Sequence, residues 1–426
     1  MSKTEKTRTG WCATKSRSLK LFGTSDLASQ KAETEQIKLA ATTARGCSVS
    51  SLTLTNFRNY QSLRLKAHSG ILVFTGANGA GKTNLLEAVS LLAPGRGLRR
   101  SRLSGLAWQE GEFNSRTWAV AARVDTPDGH YDVGTGVKYS TGYEKNETER
   151  RIVRINGETA RNQGVLSDIL SIHWLTPQMD RLFQEGMSTK RRFLDRMVFG
   201  LDPAHVGRIS AYDQAMQQRM KLLREESPLD RVWLSALEET MVTKGVAIAA
   251  SRLDMVTKLA IEAKDGWGPF PGADVAIKGE LETWLAEGPA LAAEDRFRAG
   301  LIATRGESAR SGRTCLGPQQ SKLNVRHVQK NQDAALCSTG EQKALLIALI
   351  LANARLRAHE EGALPVLLLD EIAAHLDEER RTVLLDTLRD LGSQVWLTGT
   401  DEILFKHLRG QANFFTVTAG NIKCLS

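Results

Sequence analysis

The chain has 426 residues, is 41% hydrophobic and carries a formal net charge of +9. This length and apolar content exclude a disordered protein and predict a large core, divided between a main lobe and an inserted one. The five cysteines include no C-x-x-C pair, which argues against zinc or a disulfide framework and for a reducing cytosol. No apolar run approaches the roughly 20 residues of a membrane helix, so we expect a soluble, cytoplasmic protein without a membrane partner.

The first 48 residues are predicted to be a disordered N-terminal extension, because they are rich in Lys, Ser, Thr and Ala and show no periodic apolar pattern. We favour a solvated tail, or a start codon assigned too early, over a transit peptide. Residues 1–47 carry nine Lys/Arg and four Asp/Glu, so more than half of the net charge of +9 lies there. The overall charge is therefore weak evidence for a nucleic-acid partner.

The folded part is predicted to begin with a strand at 51–60, a hairpin partner at 63–66 and a buried strand at 71–74. The next segment matches G-x-x-x-x-G-K-[ST] and precedes an apolar helix, which is the strand-loop-helix context of a P-loop. Its residues are Gly76, Ala77, Asn78, Gly79, Ala80, Gly81, Lys82 and Thr83. We expect the loop and Lys82 to bind the phosphates of ATP and Thr83 to offer its hydroxyl to Mg²⁺. The alternative is a glycine-rich turn that binds nothing.

A basic cluster follows the P-loop helix. It contains four arginines within eight residues, namely Arg96, Arg99, Arg100 and Arg102. Such clustering predicts contact with DNA phosphates, although a solvated turn with salt-bridging arginines is the alternative. Alternating segments at 117–123, 130–138 and 151–156 then suggest antiparallel strands, and 171–176 is predicted to return to the core sheet.

The pattern changes to helices between about 188 and 310. Helices are predicted at 189–199, 203–226, 230–264 and 290–309, without the sustained heptads of a long coiled coil. We therefore predict a helical arm lobe at 196–312, inserted between two parts of an α/β head at 49–195 and 313–426.

Residues 338–342, Ser-Thr-Gly-Glu-Gln, open a long apolar helix. Taken alone, Ser338 or Thr339 is an N-cap, with Glu341 completing a capping box. In a P-loop protein, 29 residues before Glu371, the segment also resembles the signature of the ABC ATPase superfamily. That resemblance implies that Ser338 and Gly340 close over the γ-phosphate held by another subunit.

The aliphatic run 366–369 leads directly into two carboxylates, Asp370 and Glu371. This pattern predicts a buried parallel strand that ends at the carboxyl edge of the sheet, where open α/β sheets bind ligands. Asp370 is expected to hold Mg²⁺, and Glu371 to position or deprotonate the attacking water. A solvated acidic turn is the alternative. A helix at 378–391, a strand at 394–398 and a small hairpin complete the chain.

From about residue 50 onward the chain resembles the RecF family of bacterial recombinational repair ATPases, which are related to the SMC proteins. The segments that carry the resemblance, besides the three motifs, are 54–60, 94–99, 176–180, 190–195 and 368–377. The resemblance implies an ABC-type P-loop head with a mixed sheet and a helical arm lobe. It also implies a weak DNA-stimulated ATPase that dimerises with ATP, binds duplex or gapped DNA, and promotes RecA loading with RecR and RecO.

The same resemblance assigns roles to three further residues. It places Arg58 near the nucleotide phosphates, Gln178 in the segment that links the γ-phosphate to the arm, and Asp377 in the loop facing the other subunit. Each has an alternative: a strand-end charge, a surface residue after Pro177, and the N-cap of the next helix.

Two features depart from the pattern of the family that the chain resembles, namely one segment before the signature and the unusual 47-residue extension. The family usually has Gly-Pro-His-Arg and an acid before the signature, whereas here Gly317-Pro318 is followed by Gln319-Gln-Ser-Lys322. Transporter ATPases carry a switch histidine where this chain has Thr398-Gly-Thr-Asp401, which favours slower or differently gated hydrolysis. A transporter-type ATPase subunit, or an SMC-like clamp that does not need turnover, are the rival functions.

Overall fold

The computed structural model describes residues 46–110, 113–141, 147–224, 230–362 and 364–425, so residues 1–45 of the predicted extension lie outside it. The strands are β1 (Ser48–Phe57), β2 (Tyr60–Lys66), β3 (Ile71–Thr75), β4 (Gln109–Glu110), β5 (Phe113–Asn114), β6 (Ala119–Thr126), β7 (Gly129–Thr141), β8 (Glu147–Ile155), β9 (Glu158–Thr159), β10 (Ile172–Leu175), β11 (Ala273–Lys278), β12 (Lys322–His327), β13 (Gln332–Asp333), β14 (Val366–Leu369), β15 (Val395–Gly399), β16 (Ala412–Thr418) and β17 (Asn421–Leu425). The helices are α1 (Lys82–Ser90), α2 (Leu166–Ile169), α3 (Met187–Leu201), α4 (Ala204–Arg224), α5 (Arg231–Ala263), α6 (Glu280–Glu287), α7 (Ala290–Ala303), α8 (Arg305–Ser311), α9 (Thr339–Glu361) and α10 (Glu378–Leu391).

A mixed sheet in the order β10-β14-β15-β3-β16-β17 forms the centre of the head. Its first five strands run parallel to their neighbours, and β17 is antiparallel to β16. All residues of β3, β14 and β15 are buried. The sheet is covered on both faces, which explains why these strands read as uninterrupted apolar runs rather than as alternating ones.

A second, antiparallel sheet has the order β2-β1-β6-β7-β8-β9. One hydrophobic cluster joins this sheet to the mixed sheet, and α1 contributes Leu85 and Leu86 to it beside Leu54 of β1 and Phe74 of β3. Helix α1 is therefore packed in the core that the two sheets share. This packing holds the N-terminus of α1 at the carboxyl end of β3.

The opposite face of the mixed sheet packs against helices. A second cluster contains alternate residues of β3 and β14, such as Val73 and Leu367, together with much of α9, α10 and α3. Helix α9 is buried from Gln342 to Ala354, and such an all-round apolar helix is expected only where neighbours cover it on every side. No described helix is long and apolar enough to cross a bilayer.

Helices α4 to α7, within the predicted arm lobe, share a separate hydrophobic cluster, which includes Tyr212, Met241 and Phe297. The predicted single helix at 290–309 is wrong, because Thr304 (φ −92°, ψ 8°) separates α7 from α8. Helix α6 and strand β11 were not predicted. Strand β11 pairs with β12 of the second head segment to form a three-stranded sheet with β13, and α3 spans the proposed boundary at 195/196.

A buried ionic network connects the lobe to the head. The carboxylate of Asp195 on α3 accepts from Arg252 of α5 at 2.7 and 2.9 Å and lies 3.0 Å from Nε2 of His205 on α4. Burial alone would raise the pKa of Asp195, but Arg252 and His205 hold it below its usual value. Arg252 also donates to the Pro318 carbonyl at 2.6 Å.

The segment after Pro318, which departs from the family pattern, is bound to the same lobe. The Gln319 side chain accepts from the Tyr212 hydroxyl at 2.6 Å and donates to the carbonyls of Thr314 and Leu316, each at 2.9 Å. Ser321 donates to Glu282 of α6. This segment therefore helps to fix the arm lobe on the head.

Candidate ATP-binding site

The loop between β3 and α1 requires glycine at two points. Gly76 has φ +152°, and a Cβ there would lie 2.2 Å from the Val417 carbonyl oxygen of β16. Gly81 has φ +117°, and a Cβ there would lie 2.4 Å from Nδ2 of Asn59. Because L-residues rarely adopt these angles and no space exists for a side chain, glycine sets the path of the loop. Residues 77–79 are exposed at the N-terminus of α1, where backbone N–H groups and the helix dipole favour an anion.

Lys82 lies inside the curve of this loop. Its ammonium donates to the carbonyls of Gly76 at 2.7 Å and Ala77 at 3.0 Å. It also lies 4.0 Å from Oε1 of Glu371, although the lysine side chain is only 4% exposed. The P-loop cation and the acidic end of β14 therefore meet at one edge of the sheet, as the sequence predicted.

Thr83 and Asp370 meet at the same edge. The Thr83 hydroxyl lies 3.0 Å from both carboxylate oxygens of Asp370, and the Thr398 hydroxyl of β15 donates to Oδ1 at 2.8 Å. Burial raises the pKa of Asp370, and the hydrogen bonds from Thr398 and Thr83 oppose that rise. A hydroxyl and a carboxylate in contact are hard oxygen donors, and they fit the one or two protein ligands that Mg²⁺ usually takes beside substrate phosphates.

Glu371 turns the chain at the end of β14. It has φ +50°, which is uncommon for a residue other than glycine, and its N–H donates to Oγ1 of Thr398 at 2.9 Å. Its side chain is 31% exposed and lies beside Lys82. A carboxylate in this position has both access to solvent and a neighbouring cation, as a group that orients a water molecule needs.

The segment 338–342 begins α9, and Ser338 is its N-cap. The Ser338 N–H donates to Oε2 of Glu341 at 2.9 Å, and its Oγ accepts from the Glu341 N–H at 3.4 Å, so the capping box is formed. The pKa of Glu341 is lowered to about 2, mainly by its hydrogen bond with the Lys330 ammonium and, to a smaller extent, by its hydrogen bonds with Ser338. Ser338 and Gly340 are exposed, and no hydrogen bond or ion pair among the described residues joins them to the P-loop. Ser338 therefore caps α9 and at the same time remains exposed, as contact with a second subunit would require.

Arg58 contacts the P-loop helix α1 through the buried carboxylate of Glu87. It has φ +54°, and its Nε and Nη2 donate to the two oxygens of Glu87 at 2.8 and 2.9 Å. The Glu87 side chain has no solvent exposure. Glu87 was not predicted as a site residue. The signal in the sequence is a single acid among the apolar residues of α1, since buried acids are rare unless they are paired.

The four arginines of the basic cluster, Arg96, Arg99, Arg100 and Arg102, are all exposed in the turn after α1. Arg99 also contacts the P-loop helix α1, because its Nη1 donates to Oδ1 of Asn84 at 2.7 Å and lies 3.6 Å from Glu87. The cluster therefore lies beside the P-loop helix.

Gln178 and Asp377 lie in two short segments next to the site. Gln178 is exposed in the turn Pro177–Arg181, which follows β10. The Asp370 N–H donates to the Leu175 carbonyl of β10 at 2.9 Å, so this turn starts next to the end of β14. Asp377 is the N-cap of α10 and accepts from the Arg380 N–H at 2.8 Å.

Comparison with known proteins gives consistent results. The family profile described as RecF/RecN/SMC N terminal domain matches residues 48–423. DNA replication and repair protein RecF of Mesorhizobium japonicum is 48% identical over 376 residues, which are 88% of this chain and 97% of that protein. The chain belongs to the RecF family. RecF proteins of Rhizobium etli and a Caulobacter species are 45% and 46% identical over 88% and 85% of the chain and 98% and 94% of their own lengths.

Solved structures show the same fold. The recombination mediator protein RecF-ATPrS in the RecFOR pathway is similar with a TM-score of 0.75 and 21% identity, over 90% of this chain and 100% of that one. The Smc head domain of Pyrococcus furiosus, bound to the C-terminal domain of ScpA, has a TM-score of 0.51 and 15% identity over 89% of this chain and 96% of its own. The predicted α/β head of the RecF and SMC type is confirmed.

Proposed function

We propose that this RecF-family protein is a cytoplasmic, ATP-dependent DNA-binding repair protein that acts in gap repair, recombination and replication restart. The observation that carries the proposal is the contact between Thr83 and Asp370, with Lys82 and Glu371 at the same sheet edge. Membership of a family of DNA replication and repair proteins supports the biological setting.

In the proposed reaction, the P-loop backbone and Lys82 bind the phosphates of ATP, and Thr83 and Asp370 hold Mg²⁺. When bound, the metal ion neutralises charge on the phosphates. Glu371 orients the attacking water and accepts its proton, since phosphoryl transfer depends mainly on positioning and charge neutralisation. The activity is a weak ATPase that DNA stimulates.

The second half of the site is proposed to come from another copy of the chain. Ser338 and Gly340 are exposed at the start of a 23-residue helix, which is a place where an anion is favoured. In an ATP-dependent homodimer, these residues close over the γ-phosphate that the partner holds. ATP then stabilises the dimer by binding it in preference to the separate subunits.

DNA is proposed to bind the exposed arginines beside α1 through its phosphates. The contacts therefore depend on the structure of duplex or gapped DNA rather than on its sequence. Through RecR and RecO, the protein would promote RecA loading at gaps. The proposed domain organisation has a helical arm lobe at 196–312 between head segments at 49–195 and 313–426.

Two alternative functions would use the same ATP-binding residues. A transporter-type subunit would be stimulated by a membrane protein instead of DNA. An SMC-like clamp would need ATP binding but not turnover, so Glu371→Gln would trap a dimer on DNA without loss of function in cells.

The first test is sedimentation of the purified protein on a gapped duplex, with and without Mg·ATP, for the wild type and Lys82→Met. We expect an ATP-dependent dimer on DNA for the wild type only, because the variant lacks the cation that binds the β and γ phosphates. A wild-type monomer that is indifferent to both ATP and DNA would overturn the proposal.

A further inference from the structure

Strand β15 lies between the two strands that carry the nucleotide motifs. It pairs with β14 through Leu397 and Leu369, and with β3 through Thr398 and Phe74. Thr398 therefore lies at the carboxyl edge of the sheet, between the acidic end of β14 and the P-loop. Its side chain is completely buried.

The hydrogen bonds of Thr398 have only one consistent direction. A backbone N–H can only donate, so the Glu371 N–H, 2.9 Å away, must use a lone pair of the Thr398 hydroxyl. The single hydroxyl proton is then left for the Asp370 carboxylate at 2.8 Å. One hydroxyl thus connects the backbone of one acidic residue to the side chain of the other.

Both connections affect groups that the proposed reaction uses. The bond to Asp370 leaves its carboxylate oriented toward Thr83, and the bond from Glu371 supports a backbone with φ +50°. Such a left-handed conformation is strained for a residue with a Cβ and persists only when its surroundings hold it. Without this bond, the turn that places the Glu371 side chain beside Lys82 loses a support.

We propose that Thr398 is a positioning residue whose hydroxyl holds both the metal-binding carboxylate of Asp370 and the backbone of the water-orienting Glu371 in place. This inference rests on the proposed function, because it assigns a role within the same ATP site. Thr398 does not contact the nucleotide in this scheme. It acts through its two acidic neighbours, so its removal impairs Mg²⁺-dependent steps more than nucleotide binding itself.

The test compares nucleotide affinity in Mg²⁺ and in EDTA, with a fluorescent ATP analogue, for wild type, Thr398→Val and Thr398→Ser. Valine keeps the shape but removes the hydroxyl, whereas serine keeps the hydroxyl. We expect valine to reduce the Mg²⁺-dependent gain in affinity about 10- to 100-fold, as for other groups that orient metal ligands. Its affinity in EDTA should match the wild type, and serine should restore the gain.

Steady-state hydrolysis provides the second measurement. We expect Thr398→Val to lower kcat at saturating Mg·ATP, because Glu371 also loses its support, and Thr398→Ser to recover it. Thr314→Val is the matched control. Thr314 is a buried threonine at the start of the proposed second head segment, away from the proposed ATP site, and its hydroxyl accepts from Arg219 of α4 at 3.4 Å. Its replacement should leave both affinities and kcat unchanged.

The outcomes separate the two proposals. If wild type gains no affinity from Mg²⁺, the proposed function and this inference both fail. If wild type shows the gain and Thr398→Val retains it with normal kcat, only the role of Thr398 is overturned, whatever the change in thermal stability. If the valine variant does not fold, Thr398→Cys replaces it, since a thiol keeps the volume but donates and accepts only weakly. A cysteine variant with wild-type values would then overturn the inference.

Discussion

The carboxyl edge of the mixed sheet, where the P-loop meets Asp370 and Glu371, is called the nucleotide edge. Its candidate residues and those at the start of α9 differ in burial and in hydrogen bonding. At this edge, Thr83 and Thr398 are buried or partly buried and both hydrogen-bond to the buried Asp370 carboxylate. Lys82 is buried beside them, 4.0 Å from Glu371. At the start of α9, Ser338 is exposed, and its N–H and hydroxyl are hydrogen-bonded to Glu341 within the capping box. One copy of the chain therefore assembles the half that is proposed to bind ATP and Mg²⁺, and it presents the half proposed for a partner to solvent.

The largest expected effect separates hydrolysis from binding at the nucleotide edge. We expect Glu371→Gln to slow single-turnover ATP hydrolysis by about 10²- to 10⁴-fold, because the amide does not accept a proton from water. Nucleotide affinity should be retained, since the P-loop and Asp370 are unchanged. Rapid-quench measurement of ADP tests the rate, and sedimentation tests whether the ATP-bound dimer persists. Hydrolysis at the wild-type rate would remove Glu371 from the mechanism.

A smaller effect is expected at the start of α9, where two substitutions separate capping from phosphate contact. Ser338→Ala removes the cap, which costs about 1 kcal/mol, whereas Ser338→Asp keeps an N-cap of similar quality. If Ser338 also contacts the γ-phosphate held by the partner, both variants should weaken the ATP-dependent dimer tenfold or more. Alanine would lose the hydrogen bond to the phosphate, and aspartate would repel the phosphate.

Analytical ultracentrifugation in Mg·ATP measures the dimer, and thermal unfolding of the monomer without nucleotide measures the cap. An aspartate variant that dimerises like the wild type would show that Ser338 serves only as a cap. The composite site would then lose its main support.

The smallest expected effect concerns pH. Because the pKa of Glu341 is lowered to about 2 from an ordinary value of 4.5, its ionised form stabilises the folded state. That contribution is complete above pH 4.5 and is lost as the pH falls toward 2. Glu341→Gln should therefore be less stable than wild type at pH 7, by no more than about 1 kcal/mol for a surface pair with Lys330, and the difference should shrink at lower pH. Urea unfolding at pH 7, 4.5 and 3.5 checks this. A difference that grows on acidification would contradict the assignment.

Local motifs allowed much of the nucleotide edge to be predicted. The P-loop, the strand that ends at Asp370, and the helix at 378–391 each depend on a short stretch of sequence whose pattern is strong. The same holds for the capping box of Ser338 and Glu341, which the structure forms.

Features that depend on strand order or on distant pairing were not predictable in this way. The position of Thr398 between Asp370 and the P-loop follows from the order β14-β15-β3. Strand β11 needs β12 as its partner, and the two lie far apart in sequence. Arg58 was expected near phosphates, but its contact with Glu87 depends on how β1 meets α1, which no local pattern shows.

A single ion pair within the chain gives the two ends of the proposed site a mechanical connection. Lys343, one turn into α9, lies 3.6 Å from Asp180 in the same short turn as Gln178, and burial lowers the lysine pKa while Asp180 opposes that shift. In the proposed dimer, Gln178 contacts the nucleotide of its own subunit, and the start of α9 contacts the nucleotide of the other subunit. In that dimer, each Lys343–Asp180 pair would therefore lie between the segments that face the two ATP sites.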